Sequence, residues 1–232
     1  MGWGLCSYIT LGVAATMKPY YTDDFCTIYH DNCLDIIESF SDEEFDLIIT
    51  DPPYGTGINK GKTNYLSYKD TEDNLLDTIE AVYPELRRIS HRMIMTPGYY
   101  NIWHWPRPDH VGAISFPAGT GNSPWGFNCW QPIFYYGKDP YSGKGRRPDS
   151  VTSTEASHKG INHPCPKPLG LWKKMLLRGS LQEGELILDP FMGSGTTLEA
   201  AKQLGRKAIG IELEEQYCEM ATIRLAQEQF QF

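Results

Sequence analysis

The tetrapeptide Asp51-Pro52-Pro53-Tyr54 combines groups that could act together on a planar amine. The Asp51 carboxylate and the Pro52 carbonyl can each accept a hydrogen bond from an exocyclic amino group, and the two prolines fix the backbone that carries them. An aromatic amine is a weak nucleophile because its lone pair is delocalised into the ring, so acceptors that draw its N–H bonds out of plane raise its reactivity. Tyr54 can stack on the ring, a contact worth about 1–3 kcal/mol per base. The tetrapeptide therefore predicts activation of a ring amine, and a packed proline-rich turn is the alternative.

A loop at residues 189–197 (DPFMGSGTT) could bind a nucleoside cofactor. Its glycines permit a tight turn and a close approach to a ligand, and the helix that follows offers backbone N–H groups to an anion. At the end of the next strand, Glu212 can accept hydrogen bonds from both hydroxyls of a ribose. The candidate cofactor residues of this unit are Asp189, Phe191, Gly193, Ser194, Gly195, Thr196, Thr197 and Glu212. An ordinary strand-to-helix turn is the alternative.

The residue at position 198 narrows the choice of cofactor. A dinucleotide fingerprint would place a third glycine there, whereas this chain has Leu198. This argues against NAD or FAD and favours a cofactor without a pyrophosphate. S-adenosylmethionine fits that description.

Both motifs follow segments that we predict to be buried parallel strands. Residues 45–50 (FDLIIT) and 185–189 (ELILD) are short apolar runs, and residues 207–213 (KAIGIEL) follow a helix that ends near Gly205. Such a β-loop-α-β unit is typical of half a doubly wound sheet. Further strands are predicted at 92–97, 110–116 and 132–136, and a helix is predicted at 74–89. The chain should therefore be an α/β protein.

Length and composition favour one globular domain. The chain has 232 residues, 41% of them hydrophobic and 22% charged, so we expect a single domain over residues 28–232 after an N-terminal extension over 1–27. Residues 1–17 carry no charge and fit neither a signal peptide nor a membrane span. The six cysteines show no zinc spacing, so we expect free thiols in a reducing compartment and no metal site.

Charge and aromatic residues are distributed unevenly. The formal net charge is −8, yet residues 138–178 carry nine basic and three acidic side chains, against 12 basic and 26 acidic in the rest. Because affinity for nucleic acid depends on phosphate neutralisation, this segment predicts nucleic-acid contact along one face, with a solvated loop as the alternative. Residues 99–136 hold 11 aromatic side chains, most of which we expect in the core.

Taken together, Asp-Pro-Pro-Tyr and the later Asp-Pro-Phe-x-Gly-x-Gly-Thr resemble the S-adenosylmethionine-dependent amino-methyltransferases of DNA. The order of the motifs is similar to the permuted beta class, over about residues 28–225. The resemblance implies a doubly wound, mostly parallel, seven-stranded sheet. It also implies double-stranded DNA as the partner, with a base rotated into a pocket above Tyr54. An aspartate in first position is similar to the adenine-N6 subgroup, whereas a serine there resembles the cytosine-N4 subgroup.

The resemblance adds three candidate cofactor residues. Residues 163–168 (HPCPKP) are similar to the family's H-P-x-[EQ]-K-P element, with Pro166 where Glu or Gln is usual, which implies a cofactor role for Lys167. Residues 28–37 (IYHDNCLDII) resemble the I-Y-x-G-D-x-L element, whose aspartate lies near the cofactor adenine. Asn32 takes that position here and Asp31 replaces the glycine.

The resemblance also places the target-recognition segment at about residues 138–162. So short a segment predicts a short recognition site or relaxed specificity. The loop at 55–70 is expected to cover the site and to order on DNA. The candidate DNA-binding residues of the two segments are Lys60, Lys62, Lys144, Arg146 and Arg147.

Several alternatives stay open at this point. Permuted relatives act on RNA, so an RNA adenine-N6 methyltransferase is one of them, and a cytosine-N4 enzyme is another. A catalytically inactive nucleic-acid-binding relative is a third. Many members dimerise, so a homodimer is an open expectation. We further expect no membrane partner, a cytoplasmic location in a bacterial or phage-infected cell, and a role in restriction and modification.

Overall fold

The computed structural model describes residues 17–57, 70–119, 122–145, 147–153 and 167–227. Within these ranges the strands are β1 (Tyr21–Thr22), β2 (Cys26–His30), β3 (Leu47–Thr50), β4 (Arg92–Met95), β5 (His110–Ser115), β6 (Asn122–Ser123), β7 (Gly126–Phe127), β8 (Trp130–Gly137), β9 (Ser150–Thr152), β10 (Leu186–Asp189) and β11 (Lys207–Glu212). The helices are α1 (Cys33–Ile37), α2 (Glu72–Ile89), α3 (Leu169–Gly179), α4 (Thr196–Gln203) and α5 (Glu215–Ala226).

Nine of the described strands form one sheet in the order β1-β2-β11-β10-β3-β4-β8-β5-β9. The five strands from β2 to β4 in this order are parallel, and β8 runs antiparallel between β4 and β5. The predicted doubly wound, mostly parallel sheet is confirmed, and two short edge strands, β1 and β9, flank its seven strands. Because β1 pairs with β2 at Tyr21–Thr22, the sheet begins before residue 28, earlier than the predicted boundary.

Alternating strand residues bury two separate cores, one on each face of the sheet. Ile48 of β3 packs with α1 and α2 on one face, whereas its neighbours Leu47 and Ile49 pack with α3, α4 and α5 on the other. Successive side chains of a strand point to opposite faces, so a strand covered on both faces must be apolar throughout. The run Leu47-Ile48-Ile49 meets that requirement.

Parallel strands place their following loops at one edge of the sheet. We call the edge at which β2, β11, β10, β3 and β4 end the carboxyl edge, and the other the amino edge. The antiparallel β8 begins at the carboxyl edge and reaches the amino edge at Gly137, which pairs with Arg92 at the start of β4. The connection from β5 to β8 therefore lies at the carboxyl edge, and the segment after Gly137 leaves from the amino edge.

The expectation that most aromatics of residues 99–136 lie in the core is wrong. Three of the 11 are buried, namely Trp105, Phe134 and Tyr136, and five are exposed, namely Tyr100, Trp103, Trp125, Phe127 and Trp130. Of the helices that the structure describes, none has the length and apolarity to span a membrane.

Candidate active site

A cavity of about 550 Å³ opens at the carboxyl edge. This volume lies within the usual range for a small-molecule site. The cavity is lined by residues of both sequence motifs, which β3 and β10 bring side by side. All predicted catalytic and cofactor residues except Gly195 line it, namely Asp31, Asn32, Asp51, Pro52, Pro53, Tyr54, Lys167, Asp189, Phe191, Gly193, Ser194, Thr196, Thr197 and Glu212.

Three side chains hold the Asp51 carboxylate in place. The Tyr54 hydroxyl donates to Asp51 Oδ1 at 2.5 Å, and the Thr96 hydroxyl donates to the same oxygen. The Lys167 ammonium lies 2.7 Å from Oδ2. Since a carboxylate offers about four acceptor positions, these three contacts leave one position open to a further donor.

Tyr54 is equally well fixed. Its hydroxyl accepts hydrogen bonds from Lys167 Nζ at 2.8 Å and from Gln131 Nε2 at 2.7 Å. Burial, and next the charge of Asp51, raise the pKa of the Tyr54 phenol, so the hydroxyl keeps the proton that it donates. Gly98 lies against the ring, where a Cβ would meet Tyr54 Cδ1 at 3.0 Å and φ is +71°. A side chain at position 98 would therefore press on the aromatic face.

Asp70 closes the loop that follows the tetrapeptide. Its carboxylate accepts hydrogen bonds from the Gly55 N–H at 2.6 Å and from the Thr56 N–H at 3.3 Å, and its carbonyl accepts from the Gly57 N–H at 2.6 Å. Asp70 therefore lies directly against the backbone of residues 55–57. Lys60 and Lys62, predicted to contact DNA, lie between these positions and outside the described residues.

Asp189 ties the two motifs together beneath the cavity. Its carboxylate accepts hydrogen bonds from the Thr50 hydroxyl at 2.7 Å, the Thr197 hydroxyl at 2.5 Å and the Phe191 N–H at 3.1 Å. The Trp172 indole in turn donates to the Thr197 oxygen at 2.7 Å. Burial raises the pKa of Asp189 to about 6, although these three donors oppose the shift. Its oxygens serve mainly to lock β3, β10 and α4 together.

Glu212 and the glycine turn form the other end of the cavity. The carboxylate accepts from the Gly193 N–H at 3.0 Å and from the Glu214 N–H at 2.8 Å, which leaves an acceptor position on each oxygen. Burial raises the pKa of Glu212 to about 7. Gly195 begins α4 with φ +78°, and a Cβ there would lie 2.6 Å from Ala221. Position 195 therefore requires glycine for both conformation and packing.

The remaining predicted cofactor residues occupy two places. Asp31 and Asn32 follow β2, beside Glu212 on the neighbouring β11. Asn32 Oδ1 accepts from the Leu34 N–H at 3.1 Å and caps α1. Lys167 lies with Asp51 and Tyr54 rather than at the glycine turn. The cofactor roles of these residues stay predictions.

The basic segment lies elsewhere. Lys144 and Arg147 belong to the connection that leaves β8 at the amino edge, opposite the cavity. That connection is fixed there, because Arg178 at the end of α3 bonds both oxygens of Asp139 at 2.7 and 2.9 Å, and Arg147 stacks on Tyr141. Lys144 and Arg147 therefore lie away from the cavity, because β8 carries the chain to the amino edge. Their contact with DNA stays a prediction. Arg146 lies outside the described residues.

Two site residues carry no motif signal. Thr96 directly follows β4, so its place at the carboxyl edge could have been inferred from the predicted strand. Gln131 stands near the start of β8, and only the antiparallel pairing of β8 with β4 brings it to Tyr54. No group of three or more His, Cys, Asp or Glu side chains in the described ranges could hold a metal ion.

Comparison with known sequences relates this arrangement to DNA modification. The chain matches the DNA methylase family N6_N4_Mtase over residues 96–223. It is 29% identical over 256 aligned positions to Type II methyltransferase M2.MboI of Moraxella bovis, with 90% of this chain and 91% of that protein covered. It is 28% identical over 257 positions to Type II methyltransferase M2.DpnII of Streptococcus pneumoniae, with coverages of 94% and 95%.

Solved structures show the same fold. PvuII DNA methyltransferase (cytosine-N4-specific) superposes with a TM-score of 0.69 at 17% identity, covering 93% of this chain and 92% of that one. The M1.HpyAVI–SAM complex superposes with a TM-score of 0.64 at 24% identity, covering 87% and 100%. At these identities the likeness concerns the architecture of the sheet and its helices.

Proposed function

Because this chain belongs to the N6/N4 DNA methylase family, we propose that it transfers a methyl group from S-adenosylmethionine to the N6 amino group of adenine in double-stranded DNA. That it is an S-adenosylmethionine-dependent DNA methyltransferase follows from the family. The adenine target is the proposal. One observation supports methyl transfer to a ring amine above all, namely that Asp51 and Tyr54 line the same cavity as the glycine turn and Glu212. Adenine is favoured over cytosine because the tetrapeptide begins with Asp51.

The residues present fit the cofactor. Glu212 is a half-buried carboxylate with an acceptor position left on each oxygen, and removing a carboxylate from water is unfavourable unless donors compensate it. The two hydroxyls of a ribose would supply such donors. Asp31 and Asn32 lie beside Glu212, where they could meet the cofactor adenine, and Gly193 offers a close approach to the backbone. When bound, the cofactor supplies an electrophilic methyl group on a sulfonium centre.

The tetrapeptide prepares the amine. The open acceptor position of Asp51 takes one hydrogen of the amino group, and the Pro52 carbonyl takes the other. These two hydrogen bonds hold the amino group so that the lone pair of its nitrogen is no longer conjugated with the ring. Tyr54, fixed by Lys167 and Gln131, provides the face on which the base stacks. The fixed geometry means that little reorganisation is needed when the base enters.

The test identifies the methylated nucleoside directly. The protein is incubated with methyl-labelled cofactor and genomic duplex DNA from a strain that lacks base methylation, and the digested nucleosides are identified by mass. We expect N6-methyldeoxyadenosine. The Asp51→Asn variant, which keeps the shape of the side chain but changes its hydrogen bonding, should lose at least 100-fold in turnover (an order-of-magnitude expectation, roughly 3 kcal/mol) while it binds the cofactor normally.

Other products would change the assignment. N4-methyldeoxycytidine would show that the amine is that of cytosine, and equal transfer to single-stranded RNA would favour the RNA alternative. Cofactor binding without any methylated nucleoside would overturn the proposed reaction and favour a nucleic-acid-binding relative.

A further inference from the structure

The connection between β5 and β8 stands at the carboxyl edge, beside the cavity. Its base is closed by the pairing of Ser115 with Trp130 and by a hydrogen bond from the Phe116 N–H to the Cys129 carbonyl at 2.8 Å. Within it, β6 and β7 pair as Asn122 with Phe127 and Ser123 with Gly126. This pairing makes a hairpin with a two-residue turn at Pro124 and Trp125. We call residues 122–127 the aromatic hairpin.

Aromatic side chains on and around this hairpin face solvent. Trp125 at the turn is 99% exposed, Phe127 is 79% exposed, and Trp130 at the base is 50% exposed. Trp103, in the connection that follows β4 at the same edge, is 86% exposed. Several large exposed aromatic side chains at one edge of a sheet are typical of an interaction surface. The Trp125 ring is 99% exposed and is therefore accessible to a binding partner.

The surroundings of the hairpin suit a polyanion. Residues 111–137 contain no charged side chain, although the whole chain carries a net charge of −8. A duplex that approaches the carboxyl edge therefore meets no carboxylate on this segment. An acidic surface here would repel the phosphates of such a duplex.

The hairpin is also connected to the base-binding residues. Gln131, next to Trp130, donates to the Tyr54 hydroxyl at 2.7 Å. Asn128, next to Phe127, donates to the hydroxyl of Tyr99, and Tyr99 follows the glycine that packs on the Tyr54 ring. The hydrogen bonds of Gln131 and Asn128 thus connect the hairpin to the surroundings of Tyr54.

We propose that the aromatic hairpin inserts Trp125 into the DNA duplex, where it occupies the stacking position that the target base leaves. This inference deepens the proposed function and rests on it. Rotating a base out of the stack costs a few kcal/mol, and an aromatic or apolar wedge that fills the vacancy offsets part of that cost. Each stacking contact with a neighbouring base is worth about 1–3 kcal/mol. The occupant of this surface is therefore duplex DNA next to the rotated base.

The test compares binding to two duplexes of about 30 base pairs and identical sequence, one intact and one with a single central abasic site. The abasic site mimics the vacancy. Fluorescence anisotropy is recorded in the presence of S-adenosylhomocysteine, which cannot donate a methyl group. We expect the wild type to prefer the abasic duplex. Trp125→Ala should lower affinity for that duplex roughly 5- to 150-fold, the factor that corresponds to one lost stacking contact.

Two variants serve as controls. Trp125→Phe keeps an aromatic ring and should retain most of the preference. Phe25→Ala removes another exposed aromatic, 41% exposed before β2 at the amino edge, and should bind as the wild type does. Thermal unfolding confirms that each variant is folded.

The outcomes separate the inference from the proposed function. If Trp125→Ala binds both duplexes as tightly as the wild type, the inference is overturned even when the wild type methylates DNA. It is also overturned if the change alters sedimentation but not DNA affinity, which would assign the hairpin to a contact between copies of the chain. A wild type that prefers the abasic duplex through Trp125 yet produces no methylated nucleoside contradicts only the proposed function.

Discussion

Cofactor affinity should depend on pH through Glu212. Burial raises the pKa of this carboxyl to about 7 in the ligand-free protein. Hydroxyl donors of a ribose stabilise the ionised form, so binding lowers the pKa and releases a proton. Because binding releases a proton, the affinity for the cofactor rises as pH increases toward 7 and levels off above it. If only the ionised form binds, the dissociation constant at about pH 5.5 exceeds that at about pH 8.5 by about 30-fold.

Isothermal titration calorimetry across this pH range measures the effect. Methylthioadenosine is the better first ligand, because it keeps the ribose and lacks the charged methionine tail, whose own ionisation would add a second pH dependence. The matched variant is Glu212→Gln, which retains the size of the side chain but cannot ionise. We expect it to bind more weakly above pH 7 and with a nearly flat pH profile.

Two results would refute this reasoning. A wild-type profile that is flat between about pH 5.5 and pH 8.5 would show that the charge of Glu212 does not enter binding. A Glu212→Gln variant with the same slope as the wild type would assign the titration to another group. Asp189 also titrates near this range, but its oxygens already accept from Thr50, Thr197 and Phe191.

Two further predictions follow from the contacts around the motifs. Lys167→Met removes the ammonium from Asp51 and Tyr54 but keeps an apolar side chain. It should lower kcat roughly 10- to 100-fold with little change in cofactor affinity, whereas the reverse pattern would support the predicted cofactor role. Burial raises the pKa of Asp189 from 3.8 to about 6, so the folded protein holds this proton to higher pH than the unfolded chain. Its contribution to the free energy of unfolding is therefore present below about pH 4 and is lost, by about 3 kcal/mol, as pH rises through 6. Urea denaturation should show this pH-dependent loss of unfolding free energy in the wild type and not in Asp189→Asn. An identical pH dependence in both proteins would contradict the assignment to Asp189.

The sequence predicted the sheet and the cavity well, because both depend on local signals. Leu47-Ile48-Ile49 and Leu186–Asp189 are apolar runs that end abruptly at motif residues, and parallel strands bring such ends to one edge. A residue directly after a buried strand can therefore be placed without knowing the full topology. This is why Asp51 and Glu212, which are far apart in the sequence, line one cavity.

The contacts inside the cavity were less accessible to prediction. The sequence could not show that Lys167 pairs with Asp51, because the two residues lie far apart in the chain and meet only through folding. Gln131 belongs to no motif and reaches Tyr54 only through the register of β8. Such contacts depend on side-chain positions across neighbouring strands, and no spacing rule within one segment encodes them.

The position of the expected DNA-binding surface also could not be predicted from the sequence. By composition, residues 138–178 formed the basic segment and residues 99–136 the aromatic one. Composition alone did not indicate at which edge of the sheet either segment lies. The antiparallel strand β8 determines this. Its start places the aromatic hairpin beside the cavity, and its end carries Lys144 and Arg147 to the opposite edge. The sequence thus determined which chemistry the chain can perform, through motifs at strand ends. The tertiary structure alone decided which segments stand at the edge of the cavity, because the direction of one strand is fixed by pairing with distant partners.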